Sequence, residues 1–595
     1  MNNPAGRHRW ANDGLAILAL VVVALLPRVI FLGADPPVDF QMGFLSDEGA
    51  WAHNARQHLL FGRWIMDEHN PGIFAAPLYS LALDGLYRLI GIGLVETRLL
   101  SAVSGFLTCL LWYAALRARL AVRHALPPAL VLGVSYFMLS NNRVAFTESF
   151  QLLLITGAVA AVLHSLRRPA WAIAGGICFT LSLLVKPSAA VIGLVIGVFW
   201  LLRYRSDREA RGPLLFMGAG LGLAVIIAVA VVWPNWDAVS QQLGVSLRNV
   251  YTESGHVDQG RMPFFGWQAF GLSMNWFFIQ CSVLILIMAV FAAARLGRAV
   301  DHPVEPQELL CWIWIVVGFL FLANQRYQPD RRFLLLLPPL TYLACAAVQL
   351  SGFRIPGRPA LAGAGQRWRV FALGGLAGLV LGFYGQHLLR GPVLRTYPGL
   401  FASRAEAGAF LWSAAVVAGI LVAFAIRRRL PLRATPIPVS LAIGAFLLMD
   451  PLRFAYYLSS PRFSIPVANR ELAEMTRALP REARVMVGTA ADVMALESDL
   501  FSFTIRIRDW NNSYMNLDGW ERFQPSLAIV TTEPGQPPAD VEQKKVLSEA
   551  LNRGFVPVAE WPTRFDRQGR PVWMATLYAE PGLLGTGTAR LFLLR

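Results

Sequence analysis

Two adjacent acids follow the first apolar segment of the chain, in the stretch "SDEGAWAHNARQHLL". The pattern predicts an amphipathic helix, and Asp47 and Glu48 lie at its start. A carboxylate here could act as a general base towards a hydroxyl group, or bind a metal ion. The alternative is structural, because acids also stabilise the first turn of a helix by capping it and by offsetting its dipole. On these residues alone both interpretations stay open.

Two further polar stretches interrupt apolar runs. "SNNRVAFTES" places Arg143 and Glu148 at a turn between two apolar segments, where the alternative is a simple ion-paired loop. "LLVKPSAAV" contains Lys186, which precedes a helix break at Pro187. This lysine could neutralise a lipid phosphate as a point charge, or extend its ammonium group to the lipid headgroups.

A fourth group is cationic and aromatic, in "SLRNVYTESGH" and "NQRYQPDRRF". Such a surface suits a phosphate and a sugar, and anchoring at the membrane interface is the alternative. The candidate residues in this group are Arg248, Tyr251, His256, Tyr327, Arg331 and Arg332.

The elements that position these residues are membrane helices. Of the 595 residues, 55% are apolar, and the mean hydropathy is +0.48. Apolar runs of about 18 residues or more recur over most of the chain, which predicts many transmembrane helices. The net charge of +16 comes mostly from arginines in short loops between these runs. This is the positive-inside pattern and does not indicate nucleic-acid binding. The five cysteines lie in apolar segments without metal-binding spacing.

Placing the arginine clusters in the cytoplasm predicts thirteen spans, a cytoplasmic N-terminus and an external C-terminus. The first span, near residues 12–33, is long and lacks a small-residue cleavage site, so we interpret it as retained. Residues 77–93 could form another span, but this would reverse every later arginine cluster. We therefore predict a surface helix there, within a first outer loop of residues 34–94. A second large outer loop covers 234–267.

The predicted fold is thus a polytopic α-helical membrane protein with about 13 transmembrane helices and a small C-terminal α/β extracytoplasmic domain. Residues 1–457 form the transmembrane domain. Residues 458–595 alternate helical and strand-like patterns, which predicts the α/β domain. That domain has no GxGxxG or GxxxxGK[ST] motif, so nothing indicates a nucleotide site.

Several short motifs occur in a characteristic order: the loop acids Asp47 and Glu48, "NPGIFAAPLYSLAL", "ETRLLSAVSGFLTCLLWYAALR", "NNRVAFTES", "LSLLVKPSA" and "RRFLLLLPPL". Together they resemble the GT-C superfamily of polyprenyl-phosphate-sugar-dependent glycosyltransferases. The resemblance is to the branch with protein O-mannosyltransferases and lipid A aminoarabinose transferases, and it covers about residues 10–350.

The resemblance implies site roles. Asp47 matches the loop acid that activates the acceptor, with Glu48 as its companion. Glu148 matches a second catalytic acid, with Arg143 nearby as a substrate-binding cation. Arg248 matches a residue that contacts the lipid phosphate. Further roles follow for residues around these: Lys186, Arg331 and Arg332 at the phosphate, and Tyr251, His256 and Tyr327 at the substrate. Ala75 and Ala76 stand where the aminoarabinose transferases have an acid and a lysine, so neither a zinc site nor a lysine contact is supported there.

The implied activity is inverting transfer of a sugar from a polyprenyl-phosphate donor to an acceptor hydroxyl. The implied partners are the lipid-linked sugar, membrane lipids and a lipid, glycan or protein acceptor, with no nucleic acid. The expected location is the bacterial inner (plasma) membrane, with the chemistry on its outer face. No cofactor is assigned, although the carboxylates are compatible with a divalent metal. A lipid-linked-sugar transporter or flippase, and a GT-C glycan ligase or polymerase, remain as alternatives.

Overall fold

The computed structural model describes part of the chain. It covers residues 4–36, 44–62, 64, 76–206, 211–233, scattered positions from 281 to 295, 303–323, 330–349, most of 450–459, 461–488, 490–503, 518–538, 541–565, 569–583 and 590–591. The chain divides into two compact units. The first consists of Met1–Ala115, Met138–Met262 and Arg453–Arg595, and the second of Leu116–Phe137 and Pro263–Leu452.

The described residues contain five helices that are long and apolar enough to cross a membrane. They are Asn12–Val29, Leu94–Arg117, Thr147–Ser165, Gly212–Ala230 and Pro306–Ala323, and a sixth is formed if the bent pair Val122–Val134 and Tyr136–Asn142 is one span. These helices make the chain a multi-pass membrane protein. The count of thirteen stays a prediction, because several of the predicted spans lie outside the described residues.

In chain order, the first helices are α1 (Pro4–Leu20), α2 (Leu26–Val29), α3 (Phe44–Phe61), α4 (Leu78–Ile90), α5 (Leu94–Arg117), α6 (Val122–Val134), α7 (Tyr136–Asn142), α8 (Thr147–Ser165), α9 (Trp171–Val185), α10 (Ala190–Ser206) and α11 (Arg211–Val232). A π-helical turn, Val21–Leu25, joins α1 to α2. Helix α9 ends before Lys186 and Pro187, because proline has no N–H group with which to continue the helix. A short 3-10 turn, Pro187–Ala189, leads into α10.

Two helices fill the described part of the predicted first loop. Helix α3 includes both loop acids, and α4 lies within the 77–93 segment. Helix α4 ends at Gly91, whose φ of +92° favours glycine. The two helices are joined through Asp84, whose carboxylate accepts hydrogen bonds from His58 Nδ1 and from Arg88 Nε, both at 2.8 Å. The helix predicted over 77–93 therefore exists, and its placement on the membrane surface stays a prediction.

A six-stranded sheet occupies the C-terminal part of the first unit. The strands are β1 (Val485–Val487), β2 (Phe501–Phe503), β3 (Leu527–Thr532), β4 (Val556–Phe565), β5 (Pro571–Ala579) and β6 (Arg590–Leu591), in the order β2-β1-β3-β5-β4-β6. β1 pairs in parallel with β2 and β3, whereas β5 is antiparallel to β3 and β4. The accompanying helices are Ser464–Thr476, Ala491–Met494, Asp518–Phe523 and Val541–Asn552. We call residues 464–591 the sheet region.

The two faces of the sheet pack into different clusters, since successive strand residues point to opposite sides. Val487 and Val530 pack with Trp520 and Phe555. Met486 and Ile529, on the other face, join a buried cluster with residues of helices outside the sheet region. That second cluster takes in Ala52, Ala55, Tyr79, Leu83, Leu94, Val144, Phe146 and Val185. The core of the first unit is therefore continuous from α3 and the apolar helices into the sheet.

Asp35 fixes the start of the sheet region to the end of the first span. Its carboxylate accepts hydrogen bonds from the backbone N–H of Ser464 (2.8 Å) and of Ile465 (3.0 Å), and from the Ser464 hydroxyl. These N–H groups belong to the first turn of the Ser464–Thr476 helix, where no intrahelical acceptor exists. A residue far away in sequence therefore caps this helix.

The second unit is described more sparsely. Its described helices include Pro306–Ala323 and Leu337–Gln349, with a 3-10 segment, Asp330–Leu336, between them. Glu308 accepts a hydrogen bond from Arg295 Nε at 2.7 Å, and Asp450 accepts one from the backbone N–H of Tyr136 at 2.8 Å.

Candidate active site

Glu48 forms a buried ion pair that fixes the start of α3. Its Oε1 and Oε2 accept hydrogen bonds from Arg98 Nε (2.7 Å) and Nη2 (2.9 Å), and both side chains are 0% exposed. Oε1 also accepts from the backbone N–H of Ala145 at 3.0 Å. Arg98 in turn donates to the carbonyls of Leu32 and Ala34. The geometry thus gives Glu48 a structural position, in which three chain segments meet on one carboxylate.

Asp47, the neighbouring acid, faces another way. Helical residues four apart lie on the same face, so Asp47 and Trp51 share one stripe of α3. Both are half-buried, whereas residues 48–50 and 52–57 are buried. Of the two predicted loop acids, Asp47 is therefore the one whose side chain keeps partial access to solvent or substrate.

Glu148 and Lys186 form the second part of the site. Lys186 Nζ donates to Glu148 Oε1 at 2.6 Å, and it lies 5.4 Å from the ring centroid of Trp51. Glu148 is in the first turn of α8, where the helix dipole favours an acid. Gln151, on the next turn of α8, donates to the carbonyl of Lys186 at 2.7 Å. The structure thus brings Trp51, Glu148 and Lys186 together from segments that are well separated in sequence. Asp47 lies one helical turn before Trp51 on α3.

Arg143 lies at the end of α2. It donates to the carbonyls of Pro27 (2.8 Å), Ile30 (2.7 Å) and Phe31 (2.6 Å), at the end of α2. Its guanidinium also stacks on the ring of Tyr457 at 5.4 Å. The last carbonyl groups of a helix have no intrahelical hydrogen-bond donor. The guanidinium of Arg143 provides donors for the carbonyls at this end of α2. The cation paired with Glu148 is therefore Lys186, and Arg143 holds Phe31 in a backbone conformation with a φ of +50°.

The remaining predicted residues belong to the second unit or lie outside the described residues. Arg331 is buried and Arg332 half-buried in the 3-10 segment of the second unit. Arg248, Tyr251, His256 and Tyr327 lie outside the described residues. Among the residues that the structure describes, no group of three His, Cys, Asp or Glu side chains is arranged to hold a metal ion.

Two residues at the site were not predicted from the sequence. Arg98 is a lone cation in the apolar stretch "ETRLLSAVSG", and an isolated charge at such a place requires a partner. That signal could have identified it as the counter-ion of a loop acid. Trp51 follows Asp47 by one helical turn, which a helical projection of "DEGAW" shows directly.

Two ionisable groups of helices α3 and α4 have shifted pKa values. Partial burial opposes ionisation of Asp84, but the hydrogen bonds from Arg88 and His58 prevail and hold the pKa of its carboxyl below the usual value. Burial lowers the pKa of Arg56, in the second half of α3, to about 10. Both groups help to hold α3, since His58 and Arg56 belong to that helix.

No protein-family model matches the sequence, and no curated protein matches it either. The structure is similar to ArnT from Cupriavidus metallidurans in the apo state, with a TM-score of 0.56, at 17% identity, over 97% of this chain and 100% of ArnT. ArnT bound to undecaprenyl phosphate matches with a TM-score of 0.52 at 16% identity, over 98% of this chain and 100% of that chain. The chain therefore has a fold like that of ArnT.

The predicted GT-C resemblance is thereby confirmed at the level of the fold. The archaeal oligosaccharyltransferase AglB from Archaeoglobus fulgidus, in complex with an inhibitory peptide and a dolichol phosphate, is a more distant match. Its TM-score is 0.45 at 12% identity, over 88% of this chain and 69% of AglB.

Proposed function

We propose that the protein is an inverting glycosyltransferase, which moves a sugar from a polyprenyl phosphate to an acceptor hydroxyl at the outer face of the bacterial inner membrane. One observation carries this proposal. The Lys186 ammonium, paired with Glu148, lies beside Trp51 on the helix face that also bears Asp47. A base for the acceptor and a cation for the leaving phosphate are the two groups that this transfer needs.

The reaction divides between these groups. Asp47 takes the proton of the acceptor hydroxyl as its oxygen attacks the anomeric carbon. The bond from that carbon to the phosphate oxygen breaks on the opposite face of the sugar, which inverts the configuration. The polyprenyl phosphate leaves with the bonding electron pair, and Lys186 stabilises the charge on it. A positioned base contributes about 10²–10⁴-fold, and stabilisation of the leaving group is typically the larger effect.

Glu148 orients Lys186, because its carboxylate accepts a hydrogen bond from the ammonium group at 2.6 Å. An ammonium group has three N–H donors, so Lys186 can keep this bond while it binds a phosphate oxygen. We assign Glu48 to the support of α3 through Arg98. Arg248, Arg331 and Arg332 remain candidates for further phosphate contacts, and Arg143, Tyr251, His256 and Tyr327 for substrate contacts.

The lipid-linked donor is supported by the similar structure of ArnT, which holds undecaprenyl phosphate. Energy for the transfer comes from the bond between the sugar and the phosphate, so no nucleotide is required. A lipid-linked-sugar flippase would use Lys186 in the same way but would have no need of Asp47. A GT-C ligase or polymerase would share the chemistry and differ in its donor and acceptor.

The test is sugar transfer by the purified protein in proteoliposomes. Radiolabelled hexoses and pentoses on synthetic polyprenyl phosphates serve as donors, with membrane extracts as acceptor. We expect Asp47→Asn to lower kcat by at least about 10²-fold, with little change in donor affinity. Lys186→Met should weaken donor binding. Glu549→Gln, on the Val541–Asn552 helix, is the matched control and should transfer at the wild-type rate.

Near wild-type transfer by Asp47→Asn would remove this residue as the base. Outward movement of the labelled lipid without any covalent transfer, equal in wild type and Asp47→Asn, would favour the flippase instead.

A further inference from the structure

Helix α3 also bears Arg56, on the side away from Asp47. Arg56 follows Asp47 by nine residues, which is about two and a half helical turns, so the two side chains point to opposite faces. Asp47 is half-buried and Arg56 is fully buried. Arg56 therefore cannot share a substrate with Asp47, and any influence on the site must pass through the helix.

Arg56 binds the sheet region. Its Nη2 donates to the carbonyls of Ser498 (2.8 Å) and Leu500 (2.7 Å), just before β2. Gln57 Nε2 donates to the carbonyl of Ser502, within β2, at 2.9 Å. Consecutive residues of α3 thus hold three backbone carbonyls of a single segment, which fixes α3 against that segment along its length.

The backbones of α3 and the sheet region also approach closely next to Asp47. A Cβ atom added at Gly49 would lie 2.3 Å from the backbone nitrogen of Val493, in the Ala491–Met494 helix. Ordinary contact distances begin at 3.4 Å, so a side chain here would move one backbone by about 1 Å. His53, one turn further along α3, lies 3.4 Å from Asp492 through its Nδ1. Helix α3 therefore packs against the sheet region from Gly49 to Gln57.

Burial of the charged Arg56 side chain is unfavourable in itself. Its Nε and Nη1 have no hydrogen-bond partner among the described residues. A buried cation with only some of its hydrogen bonds formed is destabilising, and a packed apolar side chain would avoid that penalty. An apolar side chain could not bind two carbonyls, however, and would allow the helix to slide or rotate. The advantage of the arginine is thus the fixed position of α3.

We propose that Arg56 is a positioning residue for the transfer reaction, and that through it the sheet region sets the place of Asp47. This inference rests on the role proposed for Asp47 above. The start of α3 is held on one side by Arg98 through Glu48, and its second half by the sheet region through Arg56. Displacement of a reacting group by about 1 Å can lower the rate by about 10²-fold. Loss of the second anchor therefore lowers kcat without loss of donor binding.

The experiment compares Arg56→Gln, Arg56→Lys and Gly49→Ala in the full-length protein. Arg553→Gln, which removes an exposed arginine just after the Val541–Asn552 helix of the same region, is the matched control. Transfer kinetics use the radiolabelled polyprenyl-phosphate donors described above. We expect kcat to fall by about 10-fold to 10²-fold in Arg56→Gln and Gly49→Ala, with KM for the donor within about twofold of wild type. Arg56→Lys should recover part of the rate, because it restores one hydrogen bond, and Arg553→Gln should change nothing.

Amide hydrogen exchange of residues 44–50 is the second measurement, and it needs no activity. We expect faster exchange there in Arg56→Gln and Gly49→Ala than in wild type or Arg553→Gln. An unchanged kcat in both variants overturns the proposal. If Arg56→Gln does not fold, Arg56→Lys and Gly49→Ala decide. If the wild-type protein transfers no sugar at all, the proposed function fails. Amide hydrogen exchange alone then tests whether Arg56 holds α3 in place. Unchanged exchange at 44–50 overturns it.

Discussion

Replacement of Glu48 by glutamine tests whether this acid supports the site or performs chemistry. Both side chains of the Glu48–Arg98 pair are 0% exposed, and two hydrogen bonds join them, at 2.7 and 2.9 Å. Glutamine keeps the shape of the side chain but removes its charge. The guanidinium of Arg98 is then buried with only neutral acceptors, among them the carbonyls of Leu32 and Ala34. Breaking a buried pair in this way typically costs 3–5 kcal/mol, so we expect a loss of about 4 kcal/mol.

The assay is unfolding of the purified protein in mixed micelles by increasing denaturant, followed by tryptophan fluorescence. The double variant Glu48→Gln/Arg98→Met removes the uncompensated charge as well, so it should be more stable than Glu48→Gln alone. The exposed pair Glu549 and Arg553 is the control, since its loss should cost no more than about 0.5 kcal/mol.

Two results would refute this reasoning. A Glu48→Gln protein with wild-type stability would mean that the buried pair contributes nothing. A stable Glu48→Gln protein without transfer activity would mean that Glu48 acts in catalysis, as the comparison of motifs first suggested.

Two further predictions concern the groups that hold the first loop. Asp35→Ala should destabilise the protein by about 1–2 kcal/mol, because the first turn of the Ser464–Thr476 helix loses its cap, and proteolysis near residue 464 should accelerate. An unchanged cleavage rate would contradict the capping role. The pKa of Asp84 is lowered in the folded protein, so its stabilising effect is present above the ordinary value of about 4 and is lost as pH falls through the lowered pKa. Thermal unfolding between pH 6 and pH 3 should therefore show a smaller acid-induced drop in Tm for Asp84→Asn than for wild type, and equal drops would contradict the assignment.

Local sequence patterns predicted some of these features well. The amphipathic pattern around Asp47 predicted α3, and the proline after Lys186 predicted the end of α9. Both depend on neighbours a few residues away, for which helical periodicity and the chemistry of proline are direct guides. The GT-C fold followed from the order of several short motifs, although each is weak alone.

Partners distant in sequence could not be predicted in the same way. Glu148 and Lys186 are 38 residues apart, and the sequence offered Arg143 as an equally good counter-ion. Helix packing decides between them, because Arg143 is needed at the end of α2. The different orientations of Asp47 and Glu48 are likewise a consequence of the 100° rotation per residue together with the position of Arg98. Neighbouring acids of similar chemistry thus have different surroundings, with Glu48 buried against Arg98 and Asp47 half-buried.

The cap that Asp35 provides also bears on how the protein is made. Its partner Ser464 is 429 residues away in sequence. During translation, Asp35 is therefore synthesised long before the Ser464–Thr476 helix that it caps. In the same way, α3 is synthesised before the backbone carbonyls that Arg56 binds. Contacts of such long sequence separation form late and slowly. The carboxylate of Asp47, which we propose as the base, is thus held in its final place only when translation is nearly finished, and incomplete chains in the membrane lack these contacts.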